Sequence, residues 1–133
     1  MTNNNPTDPR WIDRAALRRL LAVVGNDPDE LGELIDDYIE DAPDLACRMA
    51  DAAANGDRDA FRIAAHTLKS NARDFGAIRL SELCSAAEAA SASLAFSTDL
   101  TTFIDDIASA ERAAREVLLS VNLENLGDIK DTE

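Results

Sequence analysis

Apolar residues recur along the chain at helical spacing in five blocks, separated by short polar or glycine-bearing breaks. Leu17, Leu20, Leu21 and Val24 lie between Asp13, an N-cap residue type, and Gly25, a helix stop, and predict a short first helix. Asn26 or Asp27 can cap the next helix, with Pro28 in its first turn. Leu31, Leu34, Ile35, Tyr38, Ile39, Ala42, Leu45, Ala46 and Met49 then trace one stripe as far as Asn55-Gly56. Pro43 lies inside that stretch and predicts a bend or a brief break. Asp57 opens a third helix along Phe61, Ala64, Ala65, Leu68, Ala72 and Phe75, closed by Gly76 as a C-terminal cap, with Phe75 read as core. A fourth block repeats Leu80, Leu83, Cys84, Ala87, Ala90 and Leu94. A fifth starts near Thr98 or Asp99 and repeats Leu100, Phe103, Ile104, Ile107, Ala114, Val117, Leu118 and Val121.

Four amphipathic helices of usable length joined by short polar turns predict an all-α fold. The expected architecture is an up-down-up-down antiparallel four-helix bundle, with the short extra N-terminal helix as a lid. Residues 1–10 hold three consecutive Asn and two Pro and read as a flexible N-terminal segment; residues 11–121 form the helical bundle domain. Residues 122–133 carry four acids against one Lys and read as a flexible acidic tail. A chain of 133 residues fits one domain, and 46% hydrophobic residues provide for a packed interior. Aromatic residues at 5% favour closely packed helices over sheets.

The formal net charge of −13 repels phosphate backbones and anionic headgroups, which argues against nucleic-acid and membrane-surface binding. No run approaches the roughly 18 to 20 apolar residues of a membrane span, and the start carries no secretory pattern. A soluble, cytoplasmic and monomeric protein is expected. The start at Met1 and the lack of a kinase or receiver segment favour a free-standing protein over a piece of a sensor kinase. Cys47 and Cys84 lie in apolar helical patterns without metal-like spacing and are expected to be reduced core residues.

His66 is the single histidine, and it points roughly 150° away from the apolar stripe of its helix, toward solvent. Arg62 at i−4, Lys69 at i+3, Ser70 at i+4 and Arg73 at i+7 share its face. From Asp57 to Leu80 five basic residues stand against three acidic ones, in an otherwise acidic chain. Cations beside the ring favour the neutral imidazole, a nucleophile, and would offset charge on a phosphoryl group attached to it. A solvated polar face on which one histidine fell by chance explains these features equally well.

The run His66-Thr67-Leu68-Lys69-Ser70-Asn71-Ala72-Arg73-Asp74-Phe75-Gly76-Ala77, continued by Leu80, Leu83, Cys84 and Glu88, resembles the signature of the histidine phosphotransfer (HPt) domain family. Glu-Asp-Ala-Pro at 40–43, Asn-Gly-Asp at 55–57 and Ala-Ala-His at 64–66 extend the resemblance over Asp13 to Val121. It implies a protein that accepts a phosphoryl group on His66 from a receiver-domain aspartate and passes it to another receiver in a two-component phosphorelay. Lys69 would contact the phosphoryl group, while Arg62, Ser70 and Arg73 would meet the partner. Family members often have Gly where Ser70 stands, and Ser or Ala where Asn71 stands, differences that bear on partner choice. The implied partners are response-regulator receivers or a hybrid sensor kinase. No cofactor is expected on this chain, with Mg²⁺ supplied by the receiver.

Enzymatic rivals fit poorly. Asp59, His66 and Ser70 on one helix face offer neither an oxyanion hole nor a cleft for triad chemistry. Three cations near His66 oppose a bound dication, so no metal site is expected. No Gly-rich phosphate loop is present, so ATP-dependent kinase activity of its own is not expected. The remaining alternative is a non-catalytic module of the same fold that docks on a receiver or other partner without turning over phosphate.

Overall fold

The computed structural model describes residue 5, residues 7–92 and residues 100–121, and within them the chain forms five helices and no strand. These are α1 (Arg14–Val23), α2 (Pro28–Ala54), α3 (Arg58–Asp74), α4 (Ile78–Ala90) and α5 (Thr101–Ser120). The all-helical class read from the spacing is borne out. Leu94, the proposed caps Thr98 and Asp99, residues 1–4 and the tail 122–133 lie outside the described residues.

The helix starts follow short-range chemistry. Asp13, Asp27 and Asp57 each accept a backbone N–H of the turn that follows, from Ala15, Asp29 and Ala60 at 3.1, 3.0 and 3.1 Å. Each bond satisfies one of the donors that a helix N-terminus leaves unpaired. Of the bend or brief break expected at Pro43, the break does not occur: α2 runs continuously through it for 27 residues. One missing N–H interrupts a single rung of the ladder, while Ala42, Leu45 and Met49 on either side are buried and hold the helix to its neighbours.

The helices α2, α3, α4 and α5 contact one another in a closed ring, α3 packing most extensively on α4 and α2, and α5 on α2 and α4. Helix α1 rests against α2 and α3. The core takes Leu31, Ile35 and Tyr38 from α2, Phe61 and Leu68 from α3, Leu80 and Cys84 from α4, and Ile107 and Leu118 from α5. Each large apolar side chain so buried contributes roughly 1.5 to 3 kcal/mol. Phe75 is partly buried and stacks on Tyr38 with ring centroids 4.8 Å apart, in keeping with its reading as a packing residue.

Cys84 is a core residue, but Cys47 is exposed, which corrects the expectation that both are buried. Cys47 lies about 150° from the centre of the α2 stripe, so the helix that buries Leu45 and Met49 turns it outward.

Gly76 joins α3 to α4 with φ +81°, a left-handed conformation that side chains disfavour. A Cβ there would lie 2.5 Å from the carbonyl oxygen of Asp13, and the Asp13 N–H donates to the Gly76 carbonyl at 2.8 Å. The residue therefore ends α3, as its sequence position suggested, and also lets the start of α1 lie against the turn.

Candidate functional site

Burial of Phe61, Ala64, Ala65, Leu68 and Ala72 fixes the rotation of α3, and the opposite face is left to His66, whose side chain is 58% exposed. Arg62 and Arg73 are exposed along the same line, one turn before the ring and two turns after it. Ser70 is half-buried. Lys69 does not stand in solvent like the arginines: its side chain is 22% exposed and leans on α4.

What it meets there is Glu88, which the helix-by-helix reading did not place near the site. Glu88 accepts from the Lys69 ammonium through Oε1 at 2.6 Å, and its Oε2 lies 3.0 Å from His66 Nδ1. The hydrogen bond from Lys69, and to a lesser degree that from His66, holds the Glu88 carboxyl below the usual carboxylate range, although burial works the other way. Local bonds anchor both sides of the bridge. Ser81 Oγ on α4 donates to the Lys69 carbonyl at 3.2 Å, and the buried Ser91 Oγ donates to the Glu88 carbonyl at 2.6 Å.

The bridge corrects the picture of a purely cationic patch. An ionised carboxylate only accepts, so a ring bonded to it through Nδ1 carries its proton on that nitrogen. In the neutral ring the lone pair then belongs to Nε2, which has no hydrogen-bond partner among the described residues. Beneath the bridge the Cys84 thiol is pushed up to about 12, first by burial, with Lys69 and Glu88 acting in opposite senses, so no thiolate competes for the ammonium. Among the described residues no group of three His, Cys, Asp or Glu side chains is placed to hold a metal ion. No helix among them is long and apolar enough to cross a membrane.

A family model for the Hpt domain matches residues 33–114, more than half of the chain. The chain belongs to the Hpt domain family. Hpt domains carry out histidine phosphotransfer in phosphorelays and work there with receiver domains. No curated protein and no solved structure matches the chain. The Hpt match contains the whole of α3 and α4, and thus the His66–Glu88–Lys69 bridge, while α1 precedes it.

The sequence pattern around α3 brought together His66, Lys69, Arg62, Ser70 and Arg73, and the structure places all five on one helix of the Hpt domain. Glu88 was visible only as part of the family signature. Ile63, one turn before His66 and 56% exposed, was not singled out at all. It stands beside an open groove of about 510 Å³ between α2 and α3, lined also by Leu45, Ala64 and Thr67. An exposed isoleucine among polar neighbours on the outer face was the available signal.

Proposed function

We propose that His66 is the phosphorylated residue and that the protein shuttles phosphoryl groups between receiver domains. The observation that carries this reading is the pairing of a carboxylate on Nδ1 with an exposed ring. It supports attack by Nε2 on the phosphorus of a receiver's aspartyl phosphate. The new N–P bond forms as the P–O bond to the aspartate breaks, and the carboxylate leaves with the bonding pair. Nδ1 keeps its proton, so the phosphorylated ring is cationic and the Glu88 carboxylate faces that charge. Lys69, one turn along, offsets negative charge on the phosphoryl oxygens. The reverse sequence delivers the group to a second receiver. The receiver supplies the Mg²⁺, and this chain supplies no ATP-dependent kinase activity.

Arg62, Ser70 and Arg73 complete the contact face in this reading. The ring of helix contacts and the three-residue links at 55–57 and 75–77 support an up-down-up-down antiparallel bundle over residues 11–121, with α1 as an added lid. The partners are response-regulator receivers or a hybrid sensor kinase, and the protein acts as a cytoplasmic monomer. The net charge of −13 favours these partners over nucleic acid or a membrane surface.

The test is His66→Gln with a phosphorylated receiver as donor. Acid-labile, base-stable phosphate should appear on the wild-type chain and not on the variant, with unfolding temperatures close to each other because the side chain is exposed. A variant that still takes up such phosphate overturns the assignment. A wild-type chain that docks on receivers yet takes up none is a binding module only.

A further inference from the structure

Three buried side-chain atoms among the described residues lack a hydrogen-bond partner, Tyr38 OH on α2 and Glu111 Oε2 and Arg115 Nε on α5; the two helices are in contact, and Tyr38 feels the charge of both α5 residues. Glu111 is 3% exposed in a helix whose buried positions are otherwise apolar. Its Oε2 lies 2.9 Å from Arg115 Nε, yet the two are not aligned for a hydrogen bond; Arg115 Nη2 reaches Oε1 at 3.3 Å. Tyr38, 3% exposed, has its ring stacked on Phe75, which fixes the direction of the phenol.

Buried polar atoms are rarely left unpaired, and interior waters typically make about three hydrogen bonds to such atoms. Here the donors and acceptors complement one another. Arg115 Nε–H can only donate, Glu111 Oε2 can only accept, and a phenol can do either. A water molecule within reach of all three would satisfy them, accepting from Arg115 Nε–H, donating to Glu111 Oε2 and exchanging a further bond with Tyr38 OH. We propose that the interior of the helical domain binds a single structural water held by Tyr38, Glu111 and Arg115, which ties α2 to α5.

The charge pattern agrees with a shared polar site. Burial, and after it the Glu111 carboxylate, raises the Tyr38 hydroxyl well above its ordinary range, with Cys84 acting the same way and Arg115 opposing. Burial likewise raises the Glu111 carboxyl, against the pull of Arg115 and Arg112. The water would be the groups' common neighbour.

Tyr38→Phe removes the hydroxyl and little else. Oxygen-17 relaxation dispersion of the full chain counts long-lived internal waters, and thermal unfolding reads stability. The wild-type chain should hold one more long-lived water than the variant, and the variant should unfold lower by on the order of 4 °C. A wild-type chain with no long-lived water overturns the proposal. So does a variant that unfolds at or above the wild-type temperature, since the hydroxyl was then unpaired. A variant that unfolds lower with an unchanged water count overturns it too, because the hydroxyl is then not what holds the water.

Discussion

Glu88 joins His66 to Lys69 across the α3–α4 interface: one carboxylate oxygen lies 3.0 Å from the imidazole Nδ1 and the other 2.6 Å from the ammonium. The two side chains three residues apart on α3 are thereby held by a residue of another helix. In the proposed reaction Glu88 is a positioning residue, since it acts through the ring and the ammonium. Glu88→Ala should slow transfer at least about tenfold, by loss of a fixed tautomer and a charge-assisted hydrogen bond. Glu88→Gln, whose carbonyl still accepts from Nδ1–H, should recover part of that rate. Wild-type rates for both variants would reduce Glu88 to a surface carboxylate.

The same bridge sets an acid dependence. The folded-state Glu88 carboxyl is held below its ordinary value, chiefly by Lys69. Its stabilising contribution is therefore present above the unfolded-state value and is lost as pH falls through the lower folded-state value. Lys69→Ala should flatten this part of the acid unfolding curve below about pH 4.5. It should also slow transfer roughly ten- to hundredfold, the usual worth of a charge-assisted contact that tightens in the transition state. An unchanged rate with a flattened acid limb would make Lys69 structural only.

Ser70 lies one turn beyond His66 and is half-buried at the edge of the exposed face. Ser70→Trp should block the approach of a receiver far more than it lowers the unfolding temperature. Ser70→Gly should leave transfer nearly unchanged and cost roughly 0.5 kcal/mol through helix propensity. Wild-type exchange by the Trp variant would move the docking path elsewhere.

Gly56 and Gly76 both adopt positive φ, +67° and +81°, but only at Gly76 is the space for a Cβ filled, by the backbone of Asp13. Gly56→Ala should cost about 1 to 2 kcal/mol for the left-handed conformation alone. Gly76→Ala must in addition displace the start of α1, so its fall in unfolding temperature should exceed that of Gly56→Ala clearly. Equal falls would mean that the Asp13 contact gives way without resistance.

Features written in neighbouring residues were legible before the structure: the caps at Asp13 and Asp57, a cap at Asn26 or Asp27 that the structure assigns to Asp27, the end of α3 at Gly76, and the outward angle of His66. Glu88 lies 22 residues beyond His66, and no helical period links two helices; only packing of α3 on α4 brings them together. Cys47 was misplaced because its neighbours are apolar although its own angle is not theirs. Glu111 was hidden in a gap of the α5 stripe between Ile107 and Ala114, four residues after Ile107 and so on the buried side. A charge at a core angle was the available signal.

The exposure of His66 on the outside of a helix has a consequence for traffic. An enzyme cleft admits what fits and refuses the rest by shape, whereas a convex site has no walls and leaves the angle of approach to the visitor. In the proposed reaction, receivers of different outline would then reach the same nitrogen, and selection among them would fall to how long each stays relative to the speed of the handover. A carrier working as proposed would be a junction with several exits, where abundance and residence time, more than lock and key, decide which exit a phosphoryl group takes.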